Sequence, residues 1–206
     1  MRASLDVAIA KPHSAASTIA LTDRLRPQLD RVDHLLDGFL VLARAQHGAL
    51  ADADRVDLGE LVDAARRERF ADIREKGLTV TVDLPPATTA QGSPALLARL
   101  VDNVIDNAVA HNEQGGWIEV TGSATEEETV LAVETGGRVL DQREVDRLAQ
   151  PFERLGEERT GSSGLGLSIV AAVAAAHRGR LALFARPEGG LRVTITLPAV
   201  KTPVPA

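Results

Sequence analysis

The chain has 206 residues, a formal net charge of −6 and no cysteine. That excludes disulfides, thiolate chemistry and a basic surface that tracks nucleic acid, so no nucleic-acid partner is expected. It holds no charge-free apolar run of about 18 residues and opens on no signal-peptide pattern. The reading is a cytoplasmic chain without a direct membrane span, reaching the inner face of a membrane only through a partner.

Residues 2–10 read as a short helix with Leu5 and Ile9 four apart, broken at Pro12. A longer helix follows from about Ser17 to about His47. Its Leu25, Leu29, Val32, Leu36, Phe39 and Ala43 keep near-heptad spacing, and Pro27 kinks it. Residues 1–49 form an incomplete helical hairpin, because the short helix cannot cover the stripe of the long one. A homodimer or a hetero-oligomer would cover it. Residues 50–57 read as a linker.

Leu58 to about Ile73 is an amphipathic helix, and Leu78–Val82 alternates as a strand. Ser93 caps a helix that starts at Pro94 and runs to about His111. Trp117–Thr121 and Thr129–Val133 are strands joined by the acidic turn at 126–128. Asp141 and Glu144 have capping-box spacing before a short helix. Leu165 to His177 is a buried helix ended by Gly179 as its cap. Leu181–Ala185 and Leu191–Leu197 make a hairpin, Pro198 stops it, and residues 199–206 are a flexible tail. The alternation predicts an α/β fold: a two-layer sandwich, with a mixed, mostly antiparallel sheet and helices on one face, over residues 58–198.

Two stretches carry chemistry. In Thr160–Val170, Gly161, Gly164 and Gly166 crowd one turn ahead of an apolar helix. A helix N-terminus leaves N–H groups free for phosphate. The dinucleotide reading fails because the loop does not open a parallel βαβ unit, and the P-loop reading fails because no Lys-Ser or Lys-Thr follows the glycines. In the helix from Pro94, Asn103 and Asn107 lie four apart on one face. Asparagine carbonyls suit Mg²⁺, which prefers oxygen donors and shares them with phosphates. The alternative is a pair of solvent-side helix polars.

Taken together, four ordered blocks resemble the catalytic region of sensor histidine kinases, in the gyrase- and chaperone-like ATPase superfamily. Leu100–Asn107 looks like the asparagine box, Val133–Gly137 like the first glycine box, Gln150–Leu155 like the phenylalanine box and Gly164–Val170 like the second glycine box. The resemblance implies ATP as ligand and Mg²⁺ as cofactor, bound between the asparagine helix and a segment spanning the two glycine boxes. It implies Asn107 as metal ligand and Asn103 as its catalytic helper. Gly136 would lie near the adenine. Gly164, Leu165, Gly166 and Leu167 would hold the phosphates, with Arg154, Thr160 and Gly161 near them. Departures are present. Glu134 stands at the position matched to the usual adenine-reading aspartate, Arg138 replaces a glycine, and Ala110 replaces a basic residue, with His111 next to it as a compensating contact or a plain surface side chain.

The family's phosphoacceptor histidine sits in a His-Glu-Leu-Arg-Thr-Pro-like block. None of His13, His34, His47, His111 and His177 has that setting, so no phosphoacceptor is expected in this chain. The resemblance implies transfer of the ATP γ-phosphate to a histidine on a phosphotransfer protein or kinase half, with a response regulator downstream. Asp102 and Asp106, each one residue off the asparagine face, are poor candidates for a base. The competing reading is an inactive nucleotide-sensing or dimerisation module, or a truncated kinase remnant.

Overall fold

The computed structural model describes residues 54–86, 88–153 and 164–200; the expected hairpin at 1–49 lies outside them. The first described element contradicts the expected linker. Strand β1 (Asp54–Asp57) pairs antiparallel with β3 (Thr89–Gly92), with Val56 opposite Ala90. Both of those side chains are buried, so residues 54–57 belong to the folded domain.

Asp57 caps α1 (Leu58–Glu68), accepting from Gly59 N at 2.7 Å and Glu60 N at 3.3 Å. The helix expected to continue to Ile73 breaks at Arg69 and resumes as α2 (Phe70–Glu75). The Arg69 guanidinium turns inward, donating to Ala65 O at 3.1 Å and pairing with Asp102 at 2.7 Å and Asp106 at 3.0 Å. Strand β2 (Thr79–Asp83) follows.

Helix α3 (Pro94–Ala110) begins with Pro94 at its first turn. Ser93 makes no side-chain cap; its backbone N–H donates instead to His177 Nε2 at 3.1 Å. Leu97, Leu100, Val101 and Val104 are fully buried at helical spacing. Each such side chain contributes roughly 1.5–3 kcal/mol by leaving water. Strands β4 (Trp117–Ala124) and β5 (Glu128–Thr135) run longer than expected. Asp141 caps α4 (Gln142–Val145) by accepting from Arg143 N at 2.7 Å. The Gln142 amide accepts from Ala185 N at 2.8 Å and donates to Leu183 O at 3.0 Å.

Helix α5 (Gly166–Ala176) closes in a Schellman arrangement: Arg178 N donates to Ala175 O and Gly179 N to Ala174 O. The left-handed residue is Arg178, at φ 58°, and not the expected Gly179. Glycine is required at 179 because a Cβ there would run into Thr196 O. His177, buried, bonds Val173 O through Nδ1 at 2.8 Å and so ties the end of α5 to the start of α3.

Strands β6 (Arg180–Ala185) and β7 (Leu191–Pro198) complete a five-stranded sheet in the order β2-β4-β5-β7-β6. Only the β2–β4 pairing is parallel. Ile118, Val120, Leu131, Val133, Val193 and Ile195 turn to the helices and are buried. Glu119, Glu134 and Arg192, in register across β4, β5 and β7, turn to the other face. This is the expected α/β sandwich: a mixed, mostly antiparallel sheet with its helices on one side. Among the described residues no helix is long and apolar enough to cross a membrane.

Candidate functional site

The two helices of the core meet at Asn103 and Gly166. Asn103 is buried, and its Nδ2 donates to Arg99 O at 2.7 Å. Its Oδ1 is thereby directed towards α5, where a Cβ at Gly166 would stand 3.5 Å away. Asn107 lies one turn further along α3, half-buried, and among the described residues its side chain has no hydrogen-bond partner. Helix α5 starts with no side-chain cap. Its first-turn N–H groups and the positive end of its dipole therefore sit beside Asn103, an arrangement suited to an anion.

The remaining expected contacts divide. Gly164, at φ 69°, packs on the Phe152 backbone, where a Cβ would come within 3.1 Å. Phe152 N donates to Gly164 O at 2.9 Å, so the residues on either side of segment 154–163 are joined. Arg154, Thr160 and Gly161 lie in that segment, outside the described residues. Leu165 and Leu167 are buried in the core, which leaves only their backbone for a ligand. His111 is exposed and forms the C-terminal cap of α3, its N–H donating to Asn107 O at 3.1 Å. Gly136 rests on Trp117, whose Nε1 would be 2.5 Å from a Cβ there.

Glu134 does not fit the adenine-reading role expected of it. Along β5, Leu131 and Val133 face the helices, so Glu134 faces away from α3 and α5. There its carboxylate is consumed by two arginines, Arg192 Nη2 at 2.7 Å and Arg186 Nε at 3.1 Å. The polar side chain that β5 turns to the helix side at this end is Thr135, opposite Ile118 on β4. The signal was present in the sequence: Leu131, Val133 and Thr135 share one parity of the strand.

Asp102 and Asp106 are also accounted for. Burial opposes the Arg69 charge, but the hydrogen bonds and charges of the two aspartates outweigh it and hold the guanidinium above its ordinary range. Committed to Arg69, neither acid is presented as a base, in agreement with the sequence reading.

Residues 92–201 match a family model described as histidine kinase-, DNA gyrase B-, and HSP90-like ATPase. The chain belongs to this family. It is 37% identical over 201 residues to the sensor protein CutS of Streptomyces coelicolor, covering 96% of this chain and 48% of that protein. It is 28% identical over 181 residues to the signal transduction histidine-protein kinase BaeS of Escherichia coli, covering 84% of this chain and 38% of that protein. The mycobacterial sensor histidine kinase MprB superposes with a TM-score of 0.62 at 27% identity, over 71% of this chain and 97% of that one. The chain thus spans about half the length, or less, of the curated relatives it matches. It carries an ATP-binding domain of the histidine-kinase type, of the kind used in two-component signalling.

The donor set can be tested against the implied Mg²⁺. Among the described residues no group of three or more His, Cys, Asp or Glu could hold a metal by itself. The Asn107 amide, without a side-chain partner among the described residues, lies one turn from Asn103, whose oxygen faces the start of α5. That set fits a Mg²⁺ that brings phosphate oxygens and waters as its other ligands, its usual mode in phosphoryl-transfer sites.

Proposed function

We propose that the chain binds Mg-ATP at the α3–α5 junction and transfers its γ-phosphate to a histidine supplied by another polypeptide or another segment, which then feeds a response-regulator aspartate. The observation that carries this reading is the Asn107 amide, without a partner among the described residues, one turn from an Asn103 oxygen that faces the start of α5, where those residues supply no side-chain cap. Residues 1–206 hold no histidine in the phosphoacceptor setting, so the acceptor lies outside them.

In the transfer, an imidazole nitrogen forms a bond to the γ-phosphorus, the bond from that phosphorus to the β–γ bridging oxygen breaks, and ADP leaves. The domain offers no nucleophile of its own and works by positioning. Asn107 would hold the metal together with the phosphates, and Mg²⁺, when bound, screens their charge. Asn103 fixes the neighbouring polar contact. The backbone N–H groups of Gly166 and Leu167 would receive a phosphate oxygen, aided by the helix dipole. Gly136, with Thr135 in the place expected of Glu134, forms the base side of the site. The described part of the catalytic unit starts at Asp54, and residues 1–49 would serve in dimerisation or partner binding.

Calorimetric titration with ATP and Mg²⁺ tests the site: Asn107→Ala removes most Mg²⁺-dependent affinity, and equal affinity in the variant and the parent overturns the assignment. Incubation with labelled ATP and a histidine-bearing helical hairpin tests the transfer, scored as acid-labile, base-stable label on the hairpin. ATP binding without label on any such partner replaces the kinase with a nucleotide-sensing module, a reading favoured by Arg138 and by the outward turn of Glu134.

A further inference from the structure

The turn after β5 is held from behind. Arg186, in the β6–β7 hairpin, places Nε 3.1 Å from Glu134 and donates through Nη1 to Thr135 O at 3.3 Å and Gly189 O at 3.1 Å. Its guanidinium carbon lies 4.7 Å from the centre of the Trp117 ring. Trp117 in turn is the surface against which Gly136 packs, so closely that only glycine fits. Gly190 N donates to Arg138 O at 2.9 Å, and side chains at Gly189 and Gly190 would run into Gly137 O and Thr135 O. One arginine, its side chain only 19% exposed, therefore ties its own hairpin to the Glu134 carboxylate and Thr135 carbonyl at the end of β5 and to the Trp117 ring on β4 under Gly136. Burying so many donors is costly unless they are paired, and here Nε meets Glu134 while Nη1 meets Thr135 O and Gly189 O. A lysine cannot replace it, since a point charge has neither the fork nor the flat face.

We infer that Arg186 is a positioning residue for the nucleotide site: working through Glu134 and Trp117 from the outer face of the sheet, it sets the Thr135–Arg138 turn so that the Gly136 edge receives the nucleotide base. This rests on the reading of Gly136 as the base side of the ATP site. Arg186 touches no nucleotide itself; its hydrogen bonds are spent on the turn and the hairpin. Glu134 acquires a different role from the one its residue type suggested, as the anchor of the clamp. Because Trp117 is the single tryptophan of the chain, its emission reports on the surroundings of that one ring, Arg186 and Gly136 among them.

The test uses the full 206-residue chain as parent, Arg186→Gln and Arg186→Lys, with Arg180→Gln as control for loss of an ion pair elsewhere on the sheet. Affinity for ATP and Mg²⁺ is measured by calorimetry, Trp117 emission is followed through the same titration, and urea unfolding reports stability. The parent and Arg180→Gln bind alike and change emission on binding. Both Arg186 variants bind on the order of tenfold more weakly, lose the emission change, and still unfold cooperatively. Parental affinity in either Arg186 variant overturns the inference, as does an intact emission change accompanied only by lower stability. If Arg186→Gln does not fold, Arg186→Lys decides alone. A parent that binds no ATP overturns the proposed function itself, and this inference falls with it.

Discussion

Glu134 and Thr135 are neighbours on β5 that live in different physical worlds. Thr135 turns to the face where Leu131, Val133, Ile118 and Val120 pack under α3 and α5. Glu134 turns to the face where Glu119, Arg192 and Arg186 meet. The helix face is held by burial, which is non-directional and depends on filling volume. The outer face at this end is held by a few directed contacts of 2.7–3.1 Å. On the helix side Thr135 bonds the Leu191 backbone and Asn103 keeps an oxygen directed at the start of α5, while the charges on the outer side are paired with each other and act as support. A side chain of the right type on the wrong face does other work.

The comparison predicts a graded response. The largest effect is expected at Leu100, fully buried in α3. Leu100→Ala should cost about 2–5 kcal/mol, read as a shift in urea midpoint by circular dichroism. Glu134→Ala comes next, at about 1–3 kcal/mol, since Arg192 is half-exposed and can re-hydrate while Arg186 cannot. A loss at Glu134 as large as that at Leu100 would erase the distinction between the faces. Smallest is Glu128→Gln. Arg180 holds the Glu128 carboxyl below its ordinary range, chiefly by hydrogen bonding at 2.6 Å, against an opposing effect of desolvation and with a smaller contribution from the Arg180 charge. The pair's stabilisation is present above the ordinary carboxylate range and is lost as pH falls through the lowered folded value. Glu128→Gln should flatten the acid limb of the unfolding midpoint as pH falls below the ordinary carboxylate range, and about 1 M salt should flatten it in the parent.

Much of the fold was legible from periodicity. The apolar spacing along α3, the alternation in β4, β5 and β7, and the Pro-Glu-Gly-Gly hairpin all mark elements that the structure contains. Strands β1 and β3 were not legible. Asp54-Arg55-Val56-Asp57 and Thr89-Ala90-Gln91-Gly92 carry almost no alternation and exist because they pair with one another. The break at Arg69 was hidden for a related reason, since the side chain there is held by a pair of aspartates on α3, far along the chain. At the site, helical spacing was enough to put Asn103 and Asn107 on one face, but only the packing of α3 on α5 sets Asn103 beside Gly166. At Glu134 residue type and strand parity point to different roles, and the pairing with Arg186 and Arg192 follows parity. The support from Arg186 could not be seen at all, because the residues it joins are separated by long stretches of chain.

The amide of Gln142 has a consequence for solubility. β6 is the last strand of the sheet, and its outward N–H at Ala185 and carbonyl at Leu183 would ordinarily invite a sixth strand from another molecule. Gln142 offers one acceptor and one donor in the positions a peptide group of that strand would occupy. A foreign strand must dislodge this plug before it can zip onto the edge, so the route by which exposed sheets recruit copies into aggregates is shut where the nearby Phe184 would otherwise make it most adhesive.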